Sequence, residues 1–243
     1  MAGGGGHGGL AGGDPMAGGG GQGGPAEGNR AAGAGSAVGN DDLRDVRQRW
    51  PVAGDSRYAH GALVALRTDQ VRMPNGELAA RDVVEHPGAV AIVALDSAGR
   101  VLLIRQYRHP VGWLLWEVPA GLRDVDGEPL RATAERELLE ETGYSARQWN
   151  VLSDYFSSPG IITERLRVFL ARDLTQVPRS AHDYQRRHEE AHLLQAWVPL
   201  AQAVQLILAG RLHNGVAAIG ILAAYAAHTG GFAALREADA RED

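Results

Sequence analysis

The sequence predicts an α+β fold in which helices pack on a mixed sheet, and three observations point to it. Short apolar runs bounded by Gly, Asn, Asp and Pro recur from about residue 60 to 198, the pattern of strands and turns. One helix with well-signalled ends interrupts them, and two apolar helical stretches follow near the C-terminus. Strands and helices alternate without regular βαβ spacing, so an α+β or mixed-sheet α/β class is expected.

The elements follow in order. Residues 1–41 hold eighteen of the 33 glycines and almost no aromatic or β-branched side chains. Such a stretch cannot bury enough apolar surface to offset its conformational entropy, so a disordered tail is expected. It also lacks the basic start and continuous apolar core of a secretory signal. GAGSAVG within it spells GxGxxxG with no strand before it, so a dinucleotide fingerprint is dismissed. Residues 42–86 read as an N-terminal antiparallel β-hairpin region, turning at Asn75-Gly76. A main domain is expected over residues 87–235. It opens with apolar strands Val90 to Leu95 and Val101 to Tyr107, joined by Asp96-Ser97-Ala98-Gly99. LLWEVPAG reads as one further short strand. Glu128 and Pro129 suit a helix start, Gly143 suits its stop, and Leu130, Ala134 and Leu138 give it a core face. Beyond it, strands are expected near 149–156, 162–171 and 192–198, with a polar loop over 172–190. Helices are expected over 199–209 and 213–229, the second buried, and a flexible end over 236–243.

Composition excludes several classes. A net charge of −5 and a pI near 6.0 give no basic face for nucleic acid. The absence of cysteine rules out disulfides and thiolate chemistry and fits a reducing cytoplasm. GVAAIGILAAYAA, the most apolar segment, is too short to span a bilayer, so no membrane partner is expected.

RELLEETG, residues 136–143, carries the chemistry. Glu137, Glu140 and Glu141 share about 100° of one helical face. Arg136 is placed to pair with Glu140, whereas Glu137 and Glu141 repel each other at i,i+4 by a few tenths of a kcal/mol. Three carboxylates on one ridge form a hard-oxygen site suited to Mg²⁺ or Mn²⁺, ions that also bind phosphate oxygens.

GLRDVDGEPLRATAERELLEETGY, 121–144, resembles the Nudix box. Glu128, Arg136, Glu137, Leu138, Glu140, Glu141, Gly143 and Tyr144 match its pattern; Leu122 to Gly127 make six residues after Gly121 where the pattern has five. The resemblance implies a mixed-sheet α/β/α sandwich that hydrolyses a nucleoside diphosphate linked to another moiety, using two or three Mg²⁺ or Mn²⁺ ions. It implies Glu137, Glu140, Glu141 and the Ala120 carbonyl as metal ligands. Gly121, Glu128, Arg136 and Gly143 become structural members of the box. Pro159, fifteen residues past Tyr144, and the runs VRMPNGELAARDVVEHPGAVAIVAL and QYRHPVGWLLWEVPAGL resemble actinobacterial-type members of the ADP-ribose pyrophosphatase group. That likeness implies Arg108 and Arg81 as substrate grips. It also implies a loop glutamate as catalytic base, Glu190 or Glu189, with Glu190 also completing the metal shell. A homodimer with exchanged N-terminal strands is expected with it.

Two other classes stand beside this one. HEEAH, 188–192, matches the HExxH of zinc proteases, but fixes only three positions and is followed by a strand-like LLQAWVPL. A non-catalytic sensor of ADP-ribose would be expected to lose box carboxylates, and all are present.

Overall fold

The computed structural model describes residues 49–178 and 193–242; the Gly-rich segment 1–41 and most of the 172–190 loop lie outside them. A three-stranded antiparallel sheet comes first: β1 (Val52–His60), β2 (Ala65–Arg72) and β3 (Leu78–Glu85). The β2–β3 hairpin turns as expected at Asn75-Gly76, where Gly76 takes φ 88° at little steric cost. The Asn75 side-chain oxygen accepts from the Glu77 N–H at 3.1 Å. β1 was not read from the sequence. VAGDSRYAH has weak strand propensity and is exposed throughout, so its pairing with the β2 edge decides its conformation.

β4 (Ala89–Ala94) lies second from one edge of a five-stranded sheet, whose order is β11 (Arg236–Glu237), β8 (Tyr144–Phe156), β9, β4 and β7. It lies parallel to β9 (Arg165–Gln176) and antiparallel to the short β7 (Ala120–Leu122). Val90 to Ala94 are wholly buried, which explains an apolar run without alternation. β5 (Arg100–Arg108) pairs with β6 (Trp113–Glu117) and β10 (Leu194–Pro199) in a second antiparallel sheet. The stretch expected as one strand, LLWEVPAG, is therefore two. The chain leaves one sheet after Glu117 and enters the other at Ala120.

α1 (Leu130–Thr142) covers one face of the five-stranded sheet, where Ala134 and Leu138 meet Val90, Ile92 and Phe169. α2 (Leu200–Leu208) packs on β5, β10 and α3 (Gly215–Thr229), and α3 covers the other face with Ile221 and Ala224 against Val93, Val168 and Leu170. α3 approaches closely because Gly220 has no side chain: a Cβ there would lie 2.8 Å from Val93 Cγ2. Only one side of α3 is buried, a correction to the expected buried helix; Ile219, Leu222 and Tyr225 face outward. No helix among the described residues is long and apolar enough to cross a membrane.

Two other boundaries differ from expectation. β8 (Tyr144–Phe156) begins directly after the α1 stop, and β9 runs to Gln176 where a loop was expected. The two strands pair from Tyr144↔Gln176 to Phe156↔Arg165, so polar residues there serve as exposed cross-strand partners. The C-terminal segment, expected to be flexible, is docked. β11 (Arg236–Glu237) pairs with β8, the Ala240 carbonyl accepts from Arg167 Nη1 at 2.6 Å, and Glu242 meets Arg123 and Arg165.

Asp154 anchors this end, accepting from Arg167 Nε at 2.7 Å and Arg236 Nη1 at 2.8 Å. Burial alone would raise its pKa, but the two arginines outweigh that and hold it below the ordinary carboxylate range. A depressed folded-state pKa adds stability above the unfolded value of about 3.9, lost as pH falls through the folded value. Asp154→Asn should therefore lower the urea midpoint at pH 7, with a smaller gap to wild type near pH 3. Equal gaps at both would refute this assignment.

Candidate active site

α1 starts after Pro129, whose extended φ of −61° and ψ of 139° precede the first turn. It stops at Gly143, left-handed at φ 78°, whose N–H reaches the Leu139 carbonyl at 2.8 Å. Glu128 ties the preceding loop to the helix, accepting from Thr133 Oγ1 at 2.8 Å and Arg136 Nη2 at 3.3 Å. Those bonds, from Arg136 first and Thr133 second, hold its carboxyl below the usual range. The extra loop residue falls among exposed Asp124, Val125 and Asp126, and the helix register is untouched.

Arg136 is the hub of the acidic ridge. Its Nη1 lies 2.7 Å from Glu137 Oε1 and 3.3 Å from Glu140 Oε2. Burial works against its charge, yet the hydrogen bond it donates to Glu128 and the charge of Glu137 more than offset it, so its pKa stands well above the usual arginine value. The sequence expectation that Glu137 lacks a cationic partner is thus corrected: its neighbour along the chain supplies one. Glu141 is buried at 5% exposure, and its Oε2 accepts the Ala120 N–H at 3.0 Å.

β7 brings the helix and the VPAG segment together. Gly121 faces Glu137 so closely that a Cβ would sit 2.0 Å from its Cδ. The Ile92 N–H donates to the Pro119 carbonyl, and Ala91 pairs with Ala120 one step on. In an antiparallel ladder that alternation turns the Ala120 N–H and C=O away from β4. β7 is the edge strand, so both groups face the Glu141 side. Three carboxylates and this carbonyl make an all-oxygen donor set, the chemistry that a hard divalent cation requires. Among the described residues no three acidic or His side chains converge on one point; Glu137 is bonded to Arg136 and Glu141 to the Ala120 N–H.

Arg108 extends from the end of β5 and forks onto Glu117, with Nε to Oε1 at 2.9 Å and Nη2 to Oε2 at 2.6 Å. Glu117 is only 2% exposed, and a carboxylate so deeply buried requires such a partner. Sequence reasoning missed Glu117; the signal was an acid between apolar Trp116 and Val118. Arg81 lies exposed on β3, opposite Asp69 on β2, on a different sheet from β7. Glu189 and Glu190 lie outside the described residues, as does HEEAH; the chain resumes at Leu193 and forms β10.

Gln195 was also missed. From β10 its Nε2 donates to the Glu141 and Thr142 carbonyls, both at 3.1 Å, satisfying groups that a helix end leaves open. Gln195→Leu should cost about 1–2 kcal/mol. Calorimetry should show the melting temperature falling by several degrees, and an unchanged value would argue against the cap.

The NUDIX domain model matches residues 85–217. The chain is 50% identical over 171 residues to an ADP-ribose pyrophosphatase of Mycobacterium tuberculosis, covering 70% of this chain and 80% of the relative. It is 33% identical over 162 residues to an ADP-ribose pyrophosphatase of Bacillus subtilis, covering 66% and 84%. Among solved structures, one described as an ADP compounds hydrolase aligns with a TM-score of 0.65, covering 77% of this chain and 98% of that one. At 21% identity that likeness concerns the fold.

Proposed function

This chain belongs to the Nudix hydrolase family, and we propose that it hydrolyses the pyrophosphate bond of ADP-ribose to AMP and ribose 5-phosphate. The observation carrying this reading is the acidic ridge of α1 seated at Gly121 against β7, in a chain half identical to a relative of that name. The family uses divalent cations. Here Mg²⁺ or Mn²⁺, two or three per site, would be held by Glu137, Glu140, Glu141, the Ala120 carbonyl and Glu190. They would supply neutralisation of the diphosphate charge and a lowered pKa for water.

The chain's own residues do the rest. Arg136 and Glu128 fix the helix and its loop, so the carboxylates keep their places as the substrate enters. Arg108, oriented by buried Glu117, grips the terminal ribose or a phosphate. Glu190, or Glu189 beside it, takes the proton of the attacking water. The new P–O bond forms as the anhydride P–O bond breaks, and the phosphomonoester on the far side of that bond departs, so that the two products are AMP and ribose 5-phosphate.

The active assembly is a homodimer with exchanged N-terminal strands. β1–β3 support this, because a three-stranded sheet that exposes Val52, Tyr58, Leu66 and Leu78 lacks the cover that such a sheet needs. Arg81 on that sheet would then reach the adenosine part of the substrate bound by the partner subunit. Light scattering that found only monomer would remove this part alone. The activity itself is tested by incubating the protein with ADP-ribose and Mg²⁺ or Mn²⁺ and resolving AMP by chromatography. Cleavage of other nucleoside diphosphate sugars but not ADP-ribose would refute the substrate; no cleavage of any would refute the reading.

A further inference from the structure

Among the described residues, the non-glycine positions with positive φ are Asp173 (57°) and Phe232 (64°), and both line one cleft of about 490 Å³. Aspartate tolerates that region, but for a bulky aromatic it is an outlier. A third irregularity meets them there. Arg172 also lines the cleft, and its Nε is buried without a hydrogen-bond partner among the described residues. The cleft is distinct from the carboxylate ridge. Asp96 on its rim lies five residues beyond Ala91, the partner of Ala120, or roughly 16 Å at the rise of a strand.

With Arg147, which holds Asp173 from outside the lining, three arginines (Arg100, Arg147 and Arg172) stand against two aspartates (Asp96 and Asp173) around this cleft. Asp96 is engaged by Arg100 at 2.7 Å, and Asp173 by Arg147 at 2.8 Å. Arg172 has no carboxylate partner among the described residues; it donates to Asn150 Oδ1 at 3.0 Å and lies 4.2 Å from the Phe232 ring centre. One guanidinium charge therefore remains uncompensated, beside walls of Tyr144, Trp197, Phe232 and Leu174. A volume of a few hundred Å³ bounded by charged and aromatic side chains together has the size of a small-molecule site. We propose that this cleft is a second ligand site, taking a small organic oxyanion with its phosphate or carboxylate on Arg172 and its flat apolar body against the aromatic wall. The two engaged aspartates on the rim disfavour a polyanion. Phe232 keeps its strained backbone because that places its ring over Arg172, closing the cation's other face. The site stands independently of the ADP-ribose reading.

Calorimetric titration of the full chain with phenyl phosphate, benzoate and inorganic phosphate tests this. At least one organic probe should bind, with inorganic phosphate ten-fold weaker or worse, and the tighter organic probe identifies phosphate or carboxylate as the headgroup. Arg172→Gln should weaken binding at least ten-fold, while Glu137→Gln leaves it unchanged. In a spectrum of wild-type protein labelled with ¹⁵N, the bound probe should shift Tyr144, Trp197 and Phe232, a readout that survives if the variant misfolds. Absence of organic-probe binding, equal affinity for inorganic phosphate, unchanged affinity in Arg172→Gln, or shifts confined to α1 would each overturn the proposal.

Discussion

Glu137→Gln is expected to lower kcat by roughly 10²–10⁴-fold, since charge stabilisation of several kcal/mol is lost at 1.36 kcal/mol per factor of ten. Folding should survive. Glutamine keeps an oxygen for Arg136 Nη1, which now bonds Glu137 at 2.7 Å, and Arg136 retains Glu128 and Glu140. Steady-state assays over a Mg²⁺ titration, with calorimetry on the same samples, separate the two effects. A variant retaining more than a tenth of wild-type kcat would remove Glu137 from the site.

Gly121→Ala should be nearly as damaging for a different reason. The new Cβ would lie 2.0 Å from Glu137 Cδ and 2.2 Å from its Cγ, so the side chain must leave β7. Glu137 can rotate outward, and Gly121 does not have positive φ, so the backbone accepts alanine. Losing a glycine also reduces the entropy of the unfolded chain. The expected result is a kcat lowered about 100-fold or more at unchanged or slightly raised melting temperature, the loss being of the order seen for a misplaced group. Gly220→Ala is the control. Its Cβ would press on Val93 Cγ2 at 2.8 Å and Val168 Cγ1 at 3.2 Å inside the core, which should cost about 1–3 kcal/mol with kcat little changed. If both substitutions destabilised equally and neither slowed turnover, the close approach at Gly121 would have no part in the reaction.

Local signals made much of this legible in advance. Pro129 and Gly143 bracket α1, and Asn75-Gly76 turns β2 into β3, because these residues act through their own backbone preferences. The acidic ridge was legible from helical periodicity alone. Long-range pairing was not. β1 exists because β2 lends it an edge, β8 begins early because β9 continues opposite it, and LLWEVPAG divides because its two halves pair with β5 and β4. Side chains that complete the site from elsewhere were missed for the same reason. Gln195 reaches α1 across 53 and 54 positions of chain, and Glu117 is explained only by the fork from Arg108. Glu128 was read beside its helix, but its bond to Thr133 depends on a rotamer that spacing does not reveal.

The handover of the chain between sheets at Val118 and Pro119 puts the β5–β6 hairpin and the edge beside α1 on separate supports. The β5–β6 hairpin, with Tyr107, Val111 and Trp113 open to solvent at its far end, belongs to one sheet; the edge beside α1 belongs to the other. Loop grafts or insertions at that tip leave the Ala91↔Ala120 register in place. A change at the hairpin tip would therefore leave the seat of Glu137 on Gly121 as it is.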